Sequence, residues 1–455
     1  MFKAKSDKIL EKHSSLRIFI GYSEIAGFCS SLSYSFNELG HKSHFCNLLP
    51  NKYYPVGKLT IIEFLLRYYL SSSASKNKVS NFFRRNIKKT LLKLLYSEMK
   101  FNYDVFILIG TYSPFAENER ALLKGIGKTI ISVFLGSDSR PLYLNALYYD
   151  QYSTDYEGFA KAIKRQYEKI RKIEDGSDMV VCHALSAHFL SRPFIRFMAL
   201  GFPKVVEKDI LGGSKEASMD SASDKKPMNK TLKILHAPTA PKYKGSEKIS
   251  RMVEELKEEG IAIELQTITC KPSSEVIHAL KNCDLVIDEL YSDTPLAGFA
   301  HEAGQFAKLP VVGSYANKND FFGDTIPPSL LIHPDKLKDA IKELFYDRIR
   351  MREKGEALRK FIEDEWNYAN VAMRYAKLLI NEQKNEWYSS PDDIRYVHGW
   401  GIDENELKSK LKELIIHTDS SILCLHEKPE LEKTILSFIG FSEDDTMHVE
   451  KDKNA

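Results

Sequence analysis

Apolar residues along this chain gather into short, nearly unbroken runs separated by amphipathic stretches of helical period. The first run is Leu16–Tyr22 (LRIFIGY), followed by the loop SEIAGF and an amphipathic stretch that stops at Gly40. This pattern predicts strand, loop and helix. SHFCNL follows Gly40, and further apolar runs occupy Asp104–Gly110, Thr129–Gly136 and Asp178–Cys182, with helical patterns between them. Strands that are apolar on both faces and alternate with helices belong in a parallel sheet covered on both sides.

Between Glu207 and Lys230 the sequence EKDILGGSKEASMDSASDKKPMNK is rich in charge, serine and glycine and poor in large apolar residues, which predicts a linker or long surface loop. Alternation restarts at Thr231–Leu235, with helices over Ser246–Glu259, near Glu275–Lys281 and around Ala297–Ala307, and strands at Asp284–Asp288 and Leu309–Gly313. A second doubly wound unit is expected. From Pro334 the pattern is mostly helical, and Trp366–Glu382 is long enough to lie across a domain boundary. Residues after about Glu386 look separate, with a turn-like HGWG at His398–Gly401, a helix from Asp403 and another after Pro429. The expected organisation is an N-terminal Rossmann-like domain over 1–206, a linker over 207–230, a second Rossmann-like domain over 231–385 ending in a closing helix, and a helical appendage over 386–455.

Composition narrows the function classes. The 455 residues hold 65 lysines and arginines against 62 acids, so a net charge of +3 gives no global basic field, and a dedicated nucleic-acid binder is not expected. Six widely spaced cysteines form no CxxC pair, which suits reduced thiols in a cytoplasm. The charged N-terminus shows no secretory signal, and the longest apolar stretch, Leu59–Leu70, carries Glu63 and Arg67 and falls short of a membrane span. The expected location is cytoplasmic.

Several segments are candidates for chemistry. GIGKT at Gly125–Thr129 imitates the end of a phosphate loop, but Leu122 stands where the motif needs glycine, and a strand follows instead of a helix. In ILHAPTAPKYKGSEKI, Ile234–Ile249, a proline-broken loop, Lys244 and Gly245 lie between a buried strand and a helix. Lys244 can neutralise a phosphate there and Gly245 permits close backbone approach, although a KG pair at a helix start also reads as a solvated cap. In Cys283–Val312, Ala297, Gly298, Ala300, Ala303 and Gly304 make a small-residue helix able to approach a ligand or a neighbouring backbone. Glu302 in that helix suits ribose hydroxyls, with a helix-stabilising surface glutamate as the alternative. The histidine pairs His41/His44, His183/His188 and His417/His426 lack metal-ligand spacing, and no metal is expected.

Together, Ile234–Ile249 and Cys283–Val312 resemble the family-four retaining glycosyltransferases of GT-B fold, over roughly Leu16 to Ile380. By this resemblance Lys244 and Gly245 grip the donor diphosphate, with Lys242 close by, and Glu302, followed by Ala303 and Pro310, binds donor ribose. Gly298 and Thr294 belong to the same donor region. The family's further glutamate, which contacts the transferred sugar, corresponds to Thr294, beside Asp293, and its usual basic residue corresponds to Thr239. FLGSDSR, Phe134–Arg140, resembles the family's HGSDxR-like strand end with Leu135 in place of histidine. Asp138 and Arg140, with Asp293, are thereby the catalytic candidates, although an Asx-turn and a surface arginine are the plainer reading of that segment. Gly27 in Ser23–Phe28 resembles the family's phosphate-approaching loop.

The fold class so implied is GT-B, α/β, two Rossmann-like domains facing a cleft. The implied activity is transfer of a sugar from a nucleotide-sugar to a glycan or lipid-linked acceptor, with retention and without cofactor or metal, in cell-surface polysaccharide or glycoconjugate synthesis. A catalytically silent GT-B module binding a nucleotide or glycan, and a sugar-nucleotide epimerase, are the alternatives. Lys76–Lys100 carries eight lysines and arginines against Glu98 alone, with Phe82, Phe83, Ile87, Leu91, Leu94 and Leu95 for an apolar face. Such a helix suits a peripheral position on an anionic membrane surface, or packing of its apolar face on the sheet.

Overall fold

A computed structural model describes residues 15–49, 59–71, 78–115, 118–203, 231–379 and 385–441. The first unit runs β1 (Arg17–Ser23), α1 (Phe28–Glu38), β2 (Lys42–Leu49), α2 (Ile61–Ser71), α3 (Lys78–Asn102), β3 (Val105–Ile109), α4 (Glu119–Gly125) and β4 (Thr129–Val133). It continues through α5 (Ala146–Tyr152), α6 (Tyr156–Asp175), β5 (Met179–Cys182), β6 (Phe194–Arg196) and α7 (Phe197–Leu200). The second runs β7 (Leu232–His236), α8 (Ser246–Glu258), β8 (Ile263–Thr267), α9 (Ser273–Asn282), β9 (Leu285–Ile287), α10 (Gly298–Gln305), β10 (Leu309–Gly313), β11 (Leu330–Ile332) and α11 (Leu337–Tyr346). Helices α12 (Arg348–Asp364) and α13 (Tyr368–Leu379), strand β12 (Tyr388–Ser389), and helices α14 (Glu404–His417) and α15 (Pro429–Phe438) complete it. The polar stretch 207–230 lies outside the described residues.

The second sheet has the order β11-β10-β9-β7-β8 and is parallel throughout. The first has the order β12-β6-β5-β4-β3-β1-β2 and is parallel except at its edge, where β12 pairs antiparallel with β6. Two Rossmann-like parallel sheets in one chain are the doubly wound units expected from the apolar runs, and they are the GT-B architecture that the resemblance implies. Strand β3 is buried at every position, as a strand covered on both faces must be.

Two features of the C-terminal third bear on how the units join. Helix α13 lies on α1, and Val371, Ala372, Tyr375 and Leu378 join the core that holds Ile18, Ile20 and Ile107. Leu296, Ala300, Leu358 and Ile362 belong to the same core, so the two units share one apolar contact. The residues expected as a separate helical appendage are described as far as 441, and they are built into the first unit. β12 extends its sheet, while Leu407, Leu411, Leu414 and Ile435 fill a core with Phe134, Tyr143, Ile163 and Phe189. The sequence pattern suggested separation because α14 is amphipathic and charged, but its apolar stripe needs a surface to cover.

The small residues of α10 serve close packing. A Cβ on Gly304 would lie 2.6 Å from Ile362 Cδ1 and 2.8 Å from Leu358, so glycine lets α12 approach.

Leu411 is fully buried between α14 and the first unit. Leu411→Ala is expected to cost about 2 to 5 kcal/mol, from lost burial and the cavity left behind. Chemical denaturation checks it: a variant as stable as the parent would show that 386–441 does not belong to the first core.

Candidate functional site

Because strands within each sheet run in parallel, the loops after their carboxyl ends gather at one edge, and contacts between the units join these two edges. The loop after β1 meets the start of α10: a Cβ on Gly298 would stand 2.8 Å from Ala26 Cβ. The loop after β4 meets the loop after β9 through Arg140, whose Nε donates to Asp293 Oδ2 at 2.7 Å, with Nη2 on the same oxygen. Both side chains are buried. The site is therefore the seam between two sheet edges, the usual place for a ligand in α/β folds.

Each candidate has a definite place at this seam. Gly27 turns the chain into α1 at φ 80°. The amides there are occupied by the protein itself, since the buried Glu24 carboxylate accepts from the N–H groups of Ile25, Cys29 and Ser30 at 2.9–3.0 Å. Burial pushes the Glu24 carboxyl up against these hydrogen bonds. Asp138 makes no Asx-turn: it reaches back three residues to accept from Leu135 N at 3.0 Å, and burial pushes its pKa up to about 6. It also explains a glycine on the neighbouring strand end: Gly110 has φ 64°, and a Cβ there would lie 2.9 Å from Asp138 Oδ2. Arg140, likewise, is no surface arginine.

The loop after β7 splits its two lysines. Lys242 is exposed and reaches across to Asp150 on α5 of the first unit, at 2.5 Å. Lys244 points inward, with Nζ 2.9 Å from Asp288 Oδ1 and 3.5 Å from Glu289 Oε2. Burial opposes its charge, but the two carboxylates outweigh burial and hold the ammonium above its ordinary pKa. Burial pushes the Glu289 carboxyl up while Lys244 draws it down. Gly245 opens α8 at φ 74°, and a Cβ there would come within 2.6 Å of Leu290 Cβ, so this loop and the one after β9 fit only with glycine.

Thr294 closes a small turn, its N–H donating to Ser292 Oγ at 3.2 Å. Its Oγ1 and Asp288 Oδ2 are buried with no hydrogen-bond partner among the described residues. Gly298 is the first residue of α10, whose N-terminus has no side-chain cap and no acid in its first turn. Glu302 lies buried one turn further along. Its neighbour His301 stacks on Trp366, with ring centroids 6.3 Å apart.

Sequence reasoning missed a third contributor, the HGWG turn. Trp400 N donates to Leu144 O at 2.8 Å and Trp400 O accepts from Ala146 N at 3.1 Å, which ties the turn to the first unit. On the other side Trp400 Nε1 donates to Glu289 Oε2 at 3.2 Å, and Gly401 N donates to Tyr291 O at 3.1 Å. The Arg140 guanidinium lies 5.6 Å from the indole centroid, within cation–π range. Gly401 has φ 75°, and a Cβ there would be 3.1 Å from Tyr243 O. The glycine flanking the tryptophan was the available signal, since it marks a close backbone approach. Asp288 and Glu289 were equally legible as an acid pair at the end of an apolar strand.

The seam offers fixed charges, hydrogen-bonding groups and a helix N-terminus without a side-chain cap. An activated thiolate is not among them, because burial pushes the Cys182 thiol up to about 12. No group of three or more histidine, cysteine or acidic residues able to hold a metal occurs among the described residues.

No protein family matches the sequence, and no curated protein does. Solved structures are similar at a distance. The Anabaena protein HepE, in complex with UDP and glucose, is 9% identical, with TM-score 0.43 over 81% of this chain and 100% of its own. An alpha-glucosyltransferase in complex with UDP and DNA is 13% identical, with TM-score 0.43 over 76% and 95%. A UDP-N-acetylglucosamine 2-epimerase from Listeria monocytogenes, itself described as putative, is 10% identical, with TM-score 0.41 over 82% and 99%. What the seam does rests on this chain's own residues.

Two outcomes follow from the buried charges. Arg140→Ala leaves Asp293 unpaired and is expected to lose about 3 to 5 kcal/mol, whereas Arg140→Met with Asp293→Leu recovers most of it. A double-mutant cycle in denaturant measures the coupling, and additive losses would show that the pair is not formed. His188 is buried with Nε2 2.8 Å from Tyr396 O, and Nδ1 has no hydrogen-bond partner among the described residues, so burial lowers its pKa to about 4. The folded value lies below the unfolded one of about 6.5, so stability is lost as pH falls through this window, by about 3 kcal/mol at its end. NMR checks it directly: a His188 ring that titrates near pH 6.5 in the folded protein would contradict this environment.

Proposed function

We propose that the chain is a nucleotide-sugar-dependent glycosyltransferase. One observation carries the reading most: two buried polar atoms of one loop, Asp288 Oδ2 and Thr294 Oγ1, lack protein partners among the described residues beside a lysine and an uncapped helix N-terminus. Buried polar atoms require partners, and sugar hydroxyls are suited to both an acceptor carboxylate and a threonine hydroxyl. Lys244 keeps donor capacity after its contact with Asp288, because an ammonium has three N–H groups, and this supports a role on the donor diphosphate. The α10 amides add a site for the same anion. Glu302, with Gly298 at the start of its helix, is assigned to donor ribose.

In this reading the protein positions donor and acceptor and stabilises charge on the departing diphosphate. Arg140 and Asp293 join the loops that contribute to both halves of the site, and Asp138 holds the first of them. Lys242 has the outer role of tying the β7 loop to α5. The acceptor is a glycan or lipid-linked sugar of cell-surface polysaccharide or glycoconjugate synthesis, and configuration is retained. A second reading has its own support: both inward cations, Lys244 and Arg140, are already paired with carboxylates, which suits a catalytically silent module that binds a nucleotide or glycan.

A thermal-shift screen of nucleotide-sugars followed by product analysis separates the two readings. A glycosylated product supports transfer, and binding without turnover supports the silent module. Lys244→Gln is expected to weaken nucleoside diphosphate binding about 10- to 100-fold by calorimetry. Thr294→Val is expected to weaken nucleotide-sugar binding about 2- to 10-fold while leaving the free diphosphate unaffected. Unchanged affinity in the folded Lys244 variant would remove the diphosphate assignment, and equal losses for sugar-bearing and sugar-free ligands in the Thr294 variant would remove the sugar assignment.

A further inference from the structure

Helix α2 is apolar on two sides. Its inward side packs Leu66 on the first unit and also carries Glu63, buried, accepting from Thr60 N at 2.9 Å and paired with His44 Nε2 at 2.6 Å. Its outward side is Ile61, Phe64, Leu65 and Tyr68, at the i, i+3, i+4, i+7 spacing of one helical face, with Ile61 80% and Phe64 63% exposed. Position along a helix sets which residues share a face, so this is a continuous apolar stripe on the outside.

Helix α3 packs beside α2 and continues the surface. Leu91, Leu95 and Met99 are its buried stripe, which places part of the Lys76–Lys100 segment on the first unit as an ordinary cover. Phe83, Ile87, Leu94 and Phe101 stay exposed on a second stripe, and none of residues 81–90 is buried. Lys76 lies outside the described residues. Of the sixteen exposed large hydrophobic residues among the described residues, nine are on α2 and α3, so the exposure is a patch and not a scatter.

Charge identifies what covers it. The cations Arg84, Arg85, Lys88, Lys89 and Lys93 lie along α3, with Arg67 on α2. The acids of these two helices are Glu63, turned inward, and Glu98, whose carboxyl burial pushes up. A second copy of the chain would set like charges against one another across a twofold contact, while an anionic lipid surface accepts both the cations and the apolar stripes. No helix among the described residues is long and apolar enough to cross a membrane, so the contact is with the surface.

We propose that α2 and α3 together form a docking face for an anionic phospholipid surface, with the Ile61–Tyr68 stripe at the headgroup boundary and the α3 cations on lipid phosphates. The lipid-linked character of the acceptor rests on the proposed function, but the docking face does not. Co-sedimentation of the full chain with mixed phosphatidylglycerol and phosphatidylcholine vesicles, without nucleotide, tests it, and nucleotide affinity is measured separately without vesicles so that the two readings can fail independently. The protein is expected to bind the anionic vesicles, to release with added salt and to ignore phosphatidylcholine alone.

Replacing Arg84, Arg85, Lys88 and Lys89 with glutamine is expected to weaken binding about fivefold per cation. Phe64→Gln with Tyr68→Gln leaves the charge unchanged and is expected to weaken it about tenfold or more, with unchanged nucleotide affinity. The proposal is overturned by no sedimentation at low salt, by equal binding to phosphatidylcholine, by wild-type binding of the Phe64/Tyr68 variant, or by light scattering that shows a dimer which this variant abolishes.

Discussion

Keeping charge paired once water is excluded is the constraint on which the seam of this protein depends. Arg140 comes from one sheet and Asp293 from the other, and neither is tolerable in the interior without its partner. The same rule sets Lys244 between Asp288 and Glu289 and places the Trp400 indole N–H on Glu289. Around these pairs the backbone must come close, which fixes glycine at positions 245 and 401. Electrostatics and close packing therefore act on the same few residues, and the loops of both sheets are held by them.

Apolar packing supports this arrangement from behind. The core that joins β1 and α1 to Leu296, Ala300, Leu358 and α13 crosses from one unit into the other, so the sheets are braced beneath the seam as well as across it. On the far side, α14 and α15 complete the core around α6, and their position allows the HGWG turn to reach the second sheet. A chain segment late in sequence thus becomes part of the first unit in space. Its stability depends on buried leucines, while its tip contributes to the site.

Much of this was legible beforehand because apolar runs and helical periods record burial directly. Strands β1, β3, β4, β5, β7, β9 and β10 lie where those runs do, the loops with Lys244 and Arg140 lie at strand ends, and Glu302 lies in a helix, as expected. The partners of charged residues were less legible, since a one-dimensional pattern does not record that Arg140 meets a residue 153 positions away. Short strands such as β6 and β12 leave too few residues for a period to be recognised. Amphipathicity also records how strongly a helix is two-faced but not which face is turned inward, and α2 turns a glutamate in and phenylalanine out.

The tryptophans have a spectroscopic consequence. Trp366 and Trp387 are sealed in the core, whereas Trp400 is partly open to solvent and has Arg140 over its ring and Glu289 on its N–H. Indole emission responds to nearby charge and to water, and here both are set by how closely the two sheets approach. The chain therefore carries its own optical gauge of the gap between its halves, with Trp387 beside β12 of the first unit as an internal reference. Separation of the seam, by ligand or by thermal opening, changes the surroundings of Trp400, and also those of Trp366, which packs between Gly201 and His301.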